Sequence, residues 1–396
     1  MTRPLRVLSL ATLFPNAARP GFGLFVARQA QALARRADVE LVVVNPVGIA
    51  PWPFDRLLNS AAERGLPERT RDWGVEVHYP RYPWLPRIGA RWNPGLIARS
   101  VLPLARRLHS ERPFDVIDAQ FFYPDGPAAA RIAEALRLPL SIKARGSDIH
   151  HWGQVDFACK EMLAAARQAS GMLAVSEALR RDMIALGMPG EAIAVHYTGL
   201  DHGRFHPVPR HEARAAMADL VPTDGALLVS VGNLILLKGQ HLAIEALANI
   251  PDVRLALAGT GPEEANLRSL AERLGVSHRV HPLGTVKPDR IATLLSAAEV
   301  MVLPSEREGL ANAWIEALAC GAPLAITAVG GAREVVTDSA AGRLVDRTPS
   351  AIASAILDLL ANPPGQAEVA AHAARFSWTA NAAQLAAHFA RIAGRA

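Results

Sequence analysis

The sequence predicts an α/β protein of two domains, each built around a parallel β-sheet. Its 396 residues exceed one ordinary domain, because domains usually contain about 100–200 residues. Half of the residues are apolar and a fifth are charged, a balance typical of globular proteins with large buried cores. In the second half, apolar runs alternate with segments of helical periodicity, which predicts parallel strands joined by right-handed crossovers.

The second half holds the clearest pattern. Continuous apolar runs predict strands that are covered on both faces, and the segments between them repeat apolar residues at helical spacing. The predicted strands are 226–231, 253–258, 279–283, 300–303 and 323–327. The predicted helices are 240–249, 262–274, 289–298, 313–319 and 332–338.

The first half follows the same rules more loosely. A segment rich in His, Pro and Arg, 201–224, is typical of a linker, and we place the domain boundary near Pro207. The predicted domains are therefore 1–206 and 207–378, and a helical pattern within 379–396 predicts a last helix that packs back on the first domain. The predicted strands of the first domain are 7–10, 39–44, 75–79, 116–119, 140–143, 173–175 and 193–196.

Composition limits the compartment and the partners. No apolar stretch approaches the ~18–20 residues that cross a bilayer, and the N-terminus lacks the pattern of a secretion signal. Cys159 and Cys320 lie in apolar helical contexts that favour buried thiols, so we expect a cytoplasmic protein. The net charge of +5 and the pI near 9.6 favour an anionic partner. Charge alone leaves nucleic acid, anionic lipid and phosphorylated substrates open.

Ligands of parallel sheets bind at the carboxyl ends of the strands, and the loop after 300–303 is the most informative. It holds Glu308, and a helix predicted to begin near Leu310 carries Glu316. Free amides at the start of a helix hold anions such as a diphosphate. If the span is helical, the two glutamates lie roughly 12 Å apart, too far for a hydrolase pair at ~5–9.5 Å. The alternative is that Glu308 only complements the dipole of the helix and that Glu316 is an ordinary surface residue of that helix.

A second loop follows the predicted strand 226–231 and leads into a helix. It holds Lys238, one of only four lysines in the chain, with Lys143, Lys160 and Lys287. A lysine at this place neutralises the charge that develops on a diphosphate leaving group. The alternative is a solvated lysine at a helix start.

The segment 303–317 resembles the E-x7-E motif of retaining GT-B glycosyltransferases of family 4, with Glu308 and Glu316 at the acidic positions. Segments 316–323 and 330–336 resemble the continuation of that motif. The opening, 14–26, resembles the subgroup that includes the teichuronic-acid-type enzymes of bacterial cell-surface polysaccharide assembly. The resemblance extends over almost the whole chain.

The resemblance implies GT-B architecture, in which two Rossmann-like domains face each other across a cleft. It implies that a hexose-type sugar moves, with retention of configuration, from a nucleotide diphosphate on the C-terminal domain to a glycan or lipid-linked acceptor on the N-terminal domain. Nucleic acid is then not an expected partner. The alternatives are a catalytically silent GT-B homologue and a nucleotide-sugar epimerase. A nicotinamide-dependent dehydrogenase is disfavoured because the glycines at Gly259 and Gly261 do not continue into G-x-G-x-x-G.

The resemblance also implies roles for single residues. Glu308 contacts the transferred sugar and Glu316 binds the ribose hydroxyls. Asn233 stands where the family usually has arginine, so either another cation, with Arg307 as the candidate, supplies the second positive charge or phosphate stabilisation is weaker than usual in the family. The residues expected at the donor phosphates are Lys238, Gly309, Leu310, Ala311 and Asn312.

The first domain contributes two further loops. Gly23 follows the first strand, where glycine lets the backbone approach a ligand closely, and the family comparison implies that it contacts the donor diphosphate or the acceptor. In the loop after 140–143, Arg145 stands where relatives often carry histidine, and we expect Arg145 and Asp148 to line the reaction centre.

A metal-independent reaction is expected, with the nucleotide sugar as co-substrate and no other cofactor. The chain contains no Asp-x-Asp sequence, and the adjacent His150 and His151 make a poor metal site by themselves. For retention, the family comparison implies front-face transfer, in which the departing phosphate helps to deprotonate the incoming hydroxyl. A covalent nucleophile is then not required.

The stretch 79–112 is basic and aromatic. One interpretation is peripheral contact with an anionic inner membrane leaflet, where lipid-linked acceptors lie. The other is a half-buried helix with a snorkelling arginine face. Pro94 and Pro103 are expected to break any long amphipathic helix. The aromatic and basic residues are Tyr82, Trp84, Arg87, Arg91, Trp92, Arg99, Arg106 and Arg107.

Overall fold

The structure is a computed structural model that describes residues 3–51, 61–85 and 89–395. The chain forms two compact units. Unit 1 contains Met1–Gly199 and Trp378–Ala396, and unit 2 contains Leu200–Ser377. The division therefore lies at Leu200 rather than near Pro207. Each unit is a Rossmann-like α/β body, as the alternation of strands and helices predicts.

Unit 1 is built on an eight-stranded sheet in the order β10-β9-β8-β7-β1-β2-β5-β4. All neighbours are parallel except β4 and β5, and β3 pairs with β6 in a separate parallel ribbon. The sequence pattern did not predict β3, β4 or β6, which are short. The strands are β1 Leu5–Leu10, β2 Val39–Val44, β3 Val47–Ile49, β4 Arg69–Asp72, β5 Val75–His78, β6 Arg81–Pro83, β7 Val116–Ala119, β8 Leu140–Ala144, β9 Gly171–Ala174 and β10 Ile193–Val195.

Helices cover the sheet of unit 1 and bury its apolar strands. For example, every residue of β1 is buried, as expected for a parallel strand between two helical layers. The helices of this first part of the chain are α1 Leu24–Ala34, α2 Ala61–Arg64, α3 Asn93–Glu111, α4 Asp125–Leu136, α5 Ser147–His150, α6 Asp156–Gln168 and α7 Glu177–Ala185.

The prediction that prolines interrupt 93–111 was wrong. Pro94 lies in the first turn of α3, where its missing N–H has no helical partner to lose. Pro103 lies inside α3 on an exposed face. An interior proline costs about 3 kcal/mol, whereas burial of Ile97 and Val101 each contributes about 1.5–3 kcal/mol. The packing of α3 on α4 therefore outweighs the break.

The basic stretch 79–112 consists of two parts that differ in exposure, the arginines of α3 and the aromatic residues that precede this helix. Arg99, Arg106 and Arg107 are exposed on this partly buried helix, which fits a solvated arginine face as well as a lipid surface. Tyr82, in contrast, is buried and Trp84 is half-buried. Arg87 lies outside the described residues.

Unit 2 is built on a six-stranded, fully parallel sheet in the order β13-β12-β11-β14-β15-β16. Three of its strands, β11, β12 and β14, have the predicted bounds, because each is a mostly apolar and mostly buried run. The strand β16 was not predicted. The strands are β11 Ala226–Val231, β12 Val253–Ala258, β13 Val280–Gly284, β14 Val300–Leu303, β15 Leu324–Thr327 and β16 Gly342–Val345.

The segment expected to be a linker contains a packed helix. This helix, α8, lies against α11, and its buried Arg214 donates to the carbonyl of Ala297 at 2.7 Å and to Glu299 at 2.6 Å. Residues 210–216 are therefore part of unit 2. The helices of unit 2 are α8 Arg210–Ala216, α9 Gln240–Leu247, α10 Glu264–Arg273, α11 Pro288–Ala297, α12 Asn312–Ala319, α13 Ala332–Val335, α14 Pro349–Ala361 and α15 Gln366–Ala371.

The last helix, α16 Trp378–Ile392, belongs to unit 1. It packs on α1, and its Leu385 and Phe389 join the core formed by β1 and β2. The backbone carbonyl of Asn381 accepts a hydrogen bond from His196 at 2.9 Å. Across the described residues, no helix has both the length and the apolar character needed to span a membrane.

Candidate active site

The sheet of unit 2 reverses its order between β11 and β14. From β11 the chain proceeds outward to β12 and β13, and from β14 it proceeds the other way to β15 and β16. Ligands of open parallel sheets bind outside the carboxyl ends of the strands at such a reversal. Lys238 follows β11, and Glu308 follows β14. The strand order therefore brings together two residues that are distant in sequence.

Lys238 and Glu308 form an ion pair between Nζ and Oε1. The hydroxyl of Ser305 donates to the same carboxylate oxygen at 2.8 Å. The Lys238 side chain is 22% exposed and that of Glu308 is 11% exposed, so both remain accessible to a ligand. Among the described residues, Oε2 of Glu308 has no hydrogen-bond partner. That oxygen can accept a hydrogen bond from a sugar hydroxyl.

Backbone contacts hold the two loops in this register. The amide of Glu306 donates to the carbonyl of Leu237 at 2.7 Å. Gly239 has a φ of +74°, and a Cβ there would lie 2.3 Å from the carbonyl oxygen of Pro304, so only glycine allows this approach. The guanidinium of Arg347 donates to the carbonyls of Pro304 and Leu236, each at 3.2 Å. Arg347 therefore braces both loops.

The loop after β15 supports Glu308 from a third side. The amide of Gly331 donates to the carbonyl of Gly309 at 2.9 Å. A Cβ on Gly330, which has a φ of +51°, would lie 2.1 Å from the carbonyl oxygen of Glu308. The hydroxyl of Thr327 donates to the carbonyl of Ser305. Three neighbouring strands thus fix the backbone that carries the carboxylate.

The helix that carries Glu316 begins later than the predicted start near Leu310. Helix α12 starts at Asn312, and Ala311 precedes it in an extended conformation, with φ −72° and ψ 122°. The observed start lies two residues after Leu310 and one residue before the predicted segment 313–319, and the estimate of 12 Å between Glu308 and Glu316 no longer applies, since it assumed a continuous helix. Glu316 lies in α12 and is half-buried.

Loop amides, rather than helical ones, precede α12. The amides of Leu310 and Ala311 donate to no described residue, and both residues are largely buried. Together with the amide of Asn312 at the helix start, they form a set of donors suited to an anion. They lie on the same short loop as Glu308.

The second phosphate cation stays unassigned. Asn233 is exposed, and its backbone carbonyl accepts from Gln240 at 3.2 Å. Arg307, the candidate replacement, is half-exposed and lies 3.9 Å from Glu306. The glycines near this loop have a packing role, because a Cβ on Gly259 would lie 2.0 Å from the carbonyl oxygen of Gly232.

Unit 1 reverses its strand order between β1 and β7. Gly23, in the loop after β1, has a φ of +70° and caps the start of α1. A Cβ on Gly23 would lie 1.6 Å from the carbonyl oxygen of Leu13. The close approach made by Gly23 is thus to the protein's own backbone, which already requires glycine here.

Arg145 lies beyond β8 as a fixed cation. Its guanidinium donates to the carbonyl of Gln120 at 3.1 Å and to the side chain of the same residue, and it lies over the ring of Phe25 at 5.0 Å. Burial lowers the pKa of Arg145 to about 10, while Asp118 and Asp148 oppose the shift. Arg145 therefore stays protonated at neutral pH and cannot act as a base.

Asp148 organises the loop that follows β8. Its carboxylate is fully buried. Burial raises its pKa, against the effect of the amides that bind it. The Asp148 carboxylate therefore positions this loop, and the expectation that Asp148 lines the reaction centre stays a prediction. The amides that donate to Asp148 are those of Phe122 at 2.9 Å, Arg145 at 3.0 Å, Gly146 at 2.8 Å and Ile149 at 3.1 Å.

A buried polar network beside Arg145 was not foreseen. The amine of Lys143 is fully buried and contacts Nδ1 of His196 at 2.7 Å and the side chain of Gln29 at 3.1 Å. Since Nε2 of His196 donates to the carbonyl of Asn381, Nδ1 accepts from Lys143. Burial, reinforced by Arg145, holds the pKa of Lys143 well below its usual range. The only sequence signal was the rarity of lysine.

The histidine pair serves local contacts. His150 lies 2.9 Å from the carboxylate of Asp182. Within the described ranges, 3–51, 61–85 and 89–395, no group of three or more His, Cys, Asp or Glu is placed to hold a metal ion. Cys159 and Cys320 are free thiols, and burial raises the pKa of Cys320 to about 12.

Comparison with known proteins gives the same division of the chain. Residues 215–377 match the family Glycosyl transferases group 1, and residues 21–199 match the Glycosyl transferase 4-like domain. The chain is 33% identical over 241 residues to a D-inositol 3-phosphate glycosyltransferase of Mycobacterium leprae, a match that covers 57% of this chain and 56% of that protein. The chain thus spans about half the length of such relatives.

A longer match is to a putative teichuronic acid biosynthesis glycosyltransferase, TuaC, of Bacillus subtilis. It is 29% identical over 335 residues and covers 83% of this chain and 82% of that protein.

Solved structures show the same fold. Sucrose-phosphate synthase from Thermosynechococcus elongatus has a TM-score of 0.81 at 20% identity, covering 99% of this chain and 100% of that one. HepE from Anabaena, crystallised with UDP-glucose, has a TM-score of 0.73 at 22% identity, covering 97% of this chain and 98% of that one. The predicted GT-B fold is confirmed, and each half of the chain matches a glycosyltransferase family.

Proposed function

We propose that the protein is a retaining glycosyltransferase of family 4. It transfers a hexose-type sugar from a nucleotide diphosphate to a glycan or lipid-linked acceptor in the synthesis of a bacterial cell-surface polysaccharide. The observation that carries the proposal is the accessible Lys238–Glu308 pair, which lies on the same loops as the unpaired amides of Leu310 and Ala311.

The donor phosphates bind the loop amides and Lys238. Amides at the carboxyl edge of a parallel sheet and an ammonium group are complementary to a diphosphate. In the bound state, the ammonium group of Lys238 leaves Glu308 and pairs with the donor phosphate. The carboxylate of Glu308 then accepts hydrogen bonds from the hydroxyls of the sugar. Glu316 accepts hydrogen bonds from the ribose. Because HepE was crystallised with UDP-glucose, a uridine nucleotide is the first donor to test.

The chemical step is a front-face exchange at the anomeric carbon. The bond between that carbon and the phosphate oxygen breaks, and a bond to the acceptor oxygen forms on the same face. The proton of the acceptor hydroxyl passes to the departing phosphate. Lys238 stabilises the negative charge that develops on the phosphate. Arg145 acts as a fixed positive charge in unit 1. Independence of metal and of further cofactors stays a prediction.

The proposed biological setting, synthesis of an envelope polysaccharide, rests on the similarity to TuaC. TuaC is named for teichuronic acid biosynthesis, and this chain shares most of its length, which supports a role in envelope polysaccharides. The exposed arginines of α3 support peripheral contact with an anionic membrane surface. Sedimentation with anionic vesicles tests that contact, and recovery of all protein in the supernatant would oppose it.

The donor site is tested by Lys238→Ala and Glu308→Ala. Each is expected to lower turnover of the best nucleotide sugar by at least about tenfold and to leave the thermal transition in place, because both side chains are partly exposed. Lys287→Ala and Glu272→Ala are matched controls, since both residues are exposed elsewhere in unit 2. Unchanged turnover in both site variants would reject the assignment.

Titration with UDP, GDP and ADP, followed by turnover with their sugars, separates the alternatives. A transferase binds one nucleotide and transfers its sugar. A silent homologue transfers none of them, and an epimerase returns an altered nucleotide sugar without an acceptor.

A further inference from the structure

Unit 1 contains a cavity at the carboxyl ends of β1 and β2. It has a volume of about 230 Å³, roughly eight water molecules at about 30 Å³ each. Its walls come from the loop after β1, from the β3–β6 ribbon and from the start of α3. The residues used below are Asn16, Arg19, Glu63, Tyr82, Trp84 and Asn93, all of which line the cavity.

One wall of the cavity is aromatic. Tyr82 and Trp84 pack over Gly48, where a Cβ would lie 2.8 Å from Cβ of Trp84 and 3.2 Å from Cζ of Tyr82. Glycine therefore lets both side chains lie close to β3. Aromatic rings of this kind pack against apolar faces, and the C–H face of a sugar ring is one of them.

Two polar groups that line the cavity have no hydrogen-bond partner among the described residues. Oδ1 of Asn93 is buried without a hydrogen bond. The hydroxyl of Tyr82 makes none with any described residue, although Tyr82 is only 8% exposed. Burial raises the pKa of Tyr82 to about 12, so the hydroxyl is a donor at neutral pH. Buried polar groups are normally paired, so Oδ1 of Asn93 lacks a partner that a ligand hydroxyl would supply, and the Tyr82 hydroxyl is a second group that a ligand would pair.

The charges that line the cavity cancel. Arg19 and Glu63 are its only charged lining residues in the described part of the chain, and they form an ion pair at 3.1 Å. The remaining polar lining includes Asn16, whose amide nitrogen donates to Asn45 at 2.9 Å. A site for a phosphate would present unpaired cations or several free amides. This cavity therefore favours an uncharged ligand.

We propose that this cavity binds an uncharged sugar residue of the acceptor, with Tyr82 and Asn93 contacting ring hydroxyls and Trp84 packing on the ring. The proposal rests on the proposed function, because it names the acceptor class of the same reaction. It distinguishes a neutral glycan unit from a phosphorylated sugar as the group recognised by unit 1.

The test is binding of small glycosides to the full chain, measured by saturation-transfer and titration NMR. The probes are the methyl glycosides of glucose, galactose, mannose and N-acetylglucosamine, with glucose 6-phosphate as the charged counterpart. At least one neutral glycoside is expected to bind with a millimolar Kd and more tightly than glucose 6-phosphate. Tyr82→Phe and Asn93→Ala should each weaken that binding by about fivefold or more.

Tyr79→Phe is the matched control, because it removes a nearby tyrosine hydroxyl that bonds to Thr70 and does not line the cavity. It should leave glycoside binding unchanged. Absence of binding by every neutral glycoside, tighter binding of glucose 6-phosphate, or unchanged affinity in both cavity variants would overturn the assignment. The comparison of neutral glycosides with glucose 6-phosphate uses only the wild-type chain, so it does not depend on whether the variants fold.

A titration of the same samples with UDP, GDP and ADP separates the two proposals. If no nucleotide binds, the proposed function fails. If a nucleotide binds and the glycoside results are negative, only the acceptor assignment fails.

Discussion

The carboxyl edges of the two sheets hold their charged residues in opposite ways. In unit 2, Lys238 and Glu308 are partly exposed and pair with each other, and the nearby amides of Leu310 and Ala311 donate to none of the residues that the structure describes. In unit 1, Asp148 and Lys143 are fully buried, and protein groups take up their hydrogen bonds. A ligand can replace the partners of Lys238 and Glu308, whereas it would have to break buried hydrogen bonds to pair with Asp148 or Lys143. The accessible ion pair of unit 2 suits the binding and release of a ligand, and the buried groups of unit 1 suit a fixed loop geometry.

The largest effect that separates the two arrangements is expected at Asp148. Asp148→Ala leaves four backbone amides without their acceptor, and we expect the free energy of unfolding to fall by about 3 kcal/mol or more. Urea unfolding followed by circular dichroism measures the change. Ser147→Ala, at the exposed neighbouring position, is the control. If Asp148→Ala instead loses turnover with unchanged stability, Asp148 belongs to the reaction centre and the contrast fails.

A pH-dependent effect of similar size is expected at His388. This buried histidine contacts the hydroxyl of Ser141 at 3.2 Å, and burial lowers its pKa from 6.5 to about 4. Between these pH values the unfolded chain binds the proton and the folded chain does not, so stability falls as pH falls. The loss attributable to His388 reaches at most about 3 kcal/mol near pH 4.

The comparison that isolates His388 is the pH dependence of unfolding in the wild type and in His388→Gln. The variant should lose less stability between pH 7 and about pH 4. His211→Gln is the control, because that side chain is 84% exposed. Parallel curves for the wild type and His388→Gln would show that burial of this histidine has no such effect.

The smallest effect is expected at Arg347, which links the loops that carry Lys238 and Glu308. Arg347→Ala removes the two hydrogen bonds from Arg347 to the carbonyls of Leu236 and Pro304. We expect nucleotide affinity to fall about fivefold, equivalent to about 1 kcal/mol, because Lys238 loses part of its positioning. Calorimetric titration measures the affinity, and Arg343→Ala, which removes an ion pair with Asp358, is the control. Equal affinities in the two variants would remove Arg347 from the site.

Most strands of the two sheets were predictable because burial between two layers of helices requires mostly apolar residues. The bounds of β2, β7, β11, β12 and β14 were predicted correctly, since each strand is covered by helices on both faces. Short edge elements such as β4 and β16 lack that signal. The helix α3 was missed because tertiary packing overrides the local effect of Pro103.

The site was predictable only as a set of loops. The sequence indicated Lys238 and Glu308 separately, but their pairing depends on the order of β11 and β14, which no local pattern contains. Leu310 was expected in the helix because its amide and apolar side chain fit a first turn. In the structure it lies in the loop that precedes α12. Tyr82 and Trp84 were grouped with surface arginines because spacing alone does not distinguish a cavity wall from a membrane face.

The last helix, α16, completes the core of unit 1 with residues that are translated after all of unit 2. Leu385 and Phe389 therefore reach their partners only after the whole of unit 2 has been synthesised. On the ribosome, unit 2 can mature while the earlier half still lacks one wall of its core, which reverses the usual amino-to-carboxyl order of domain folding.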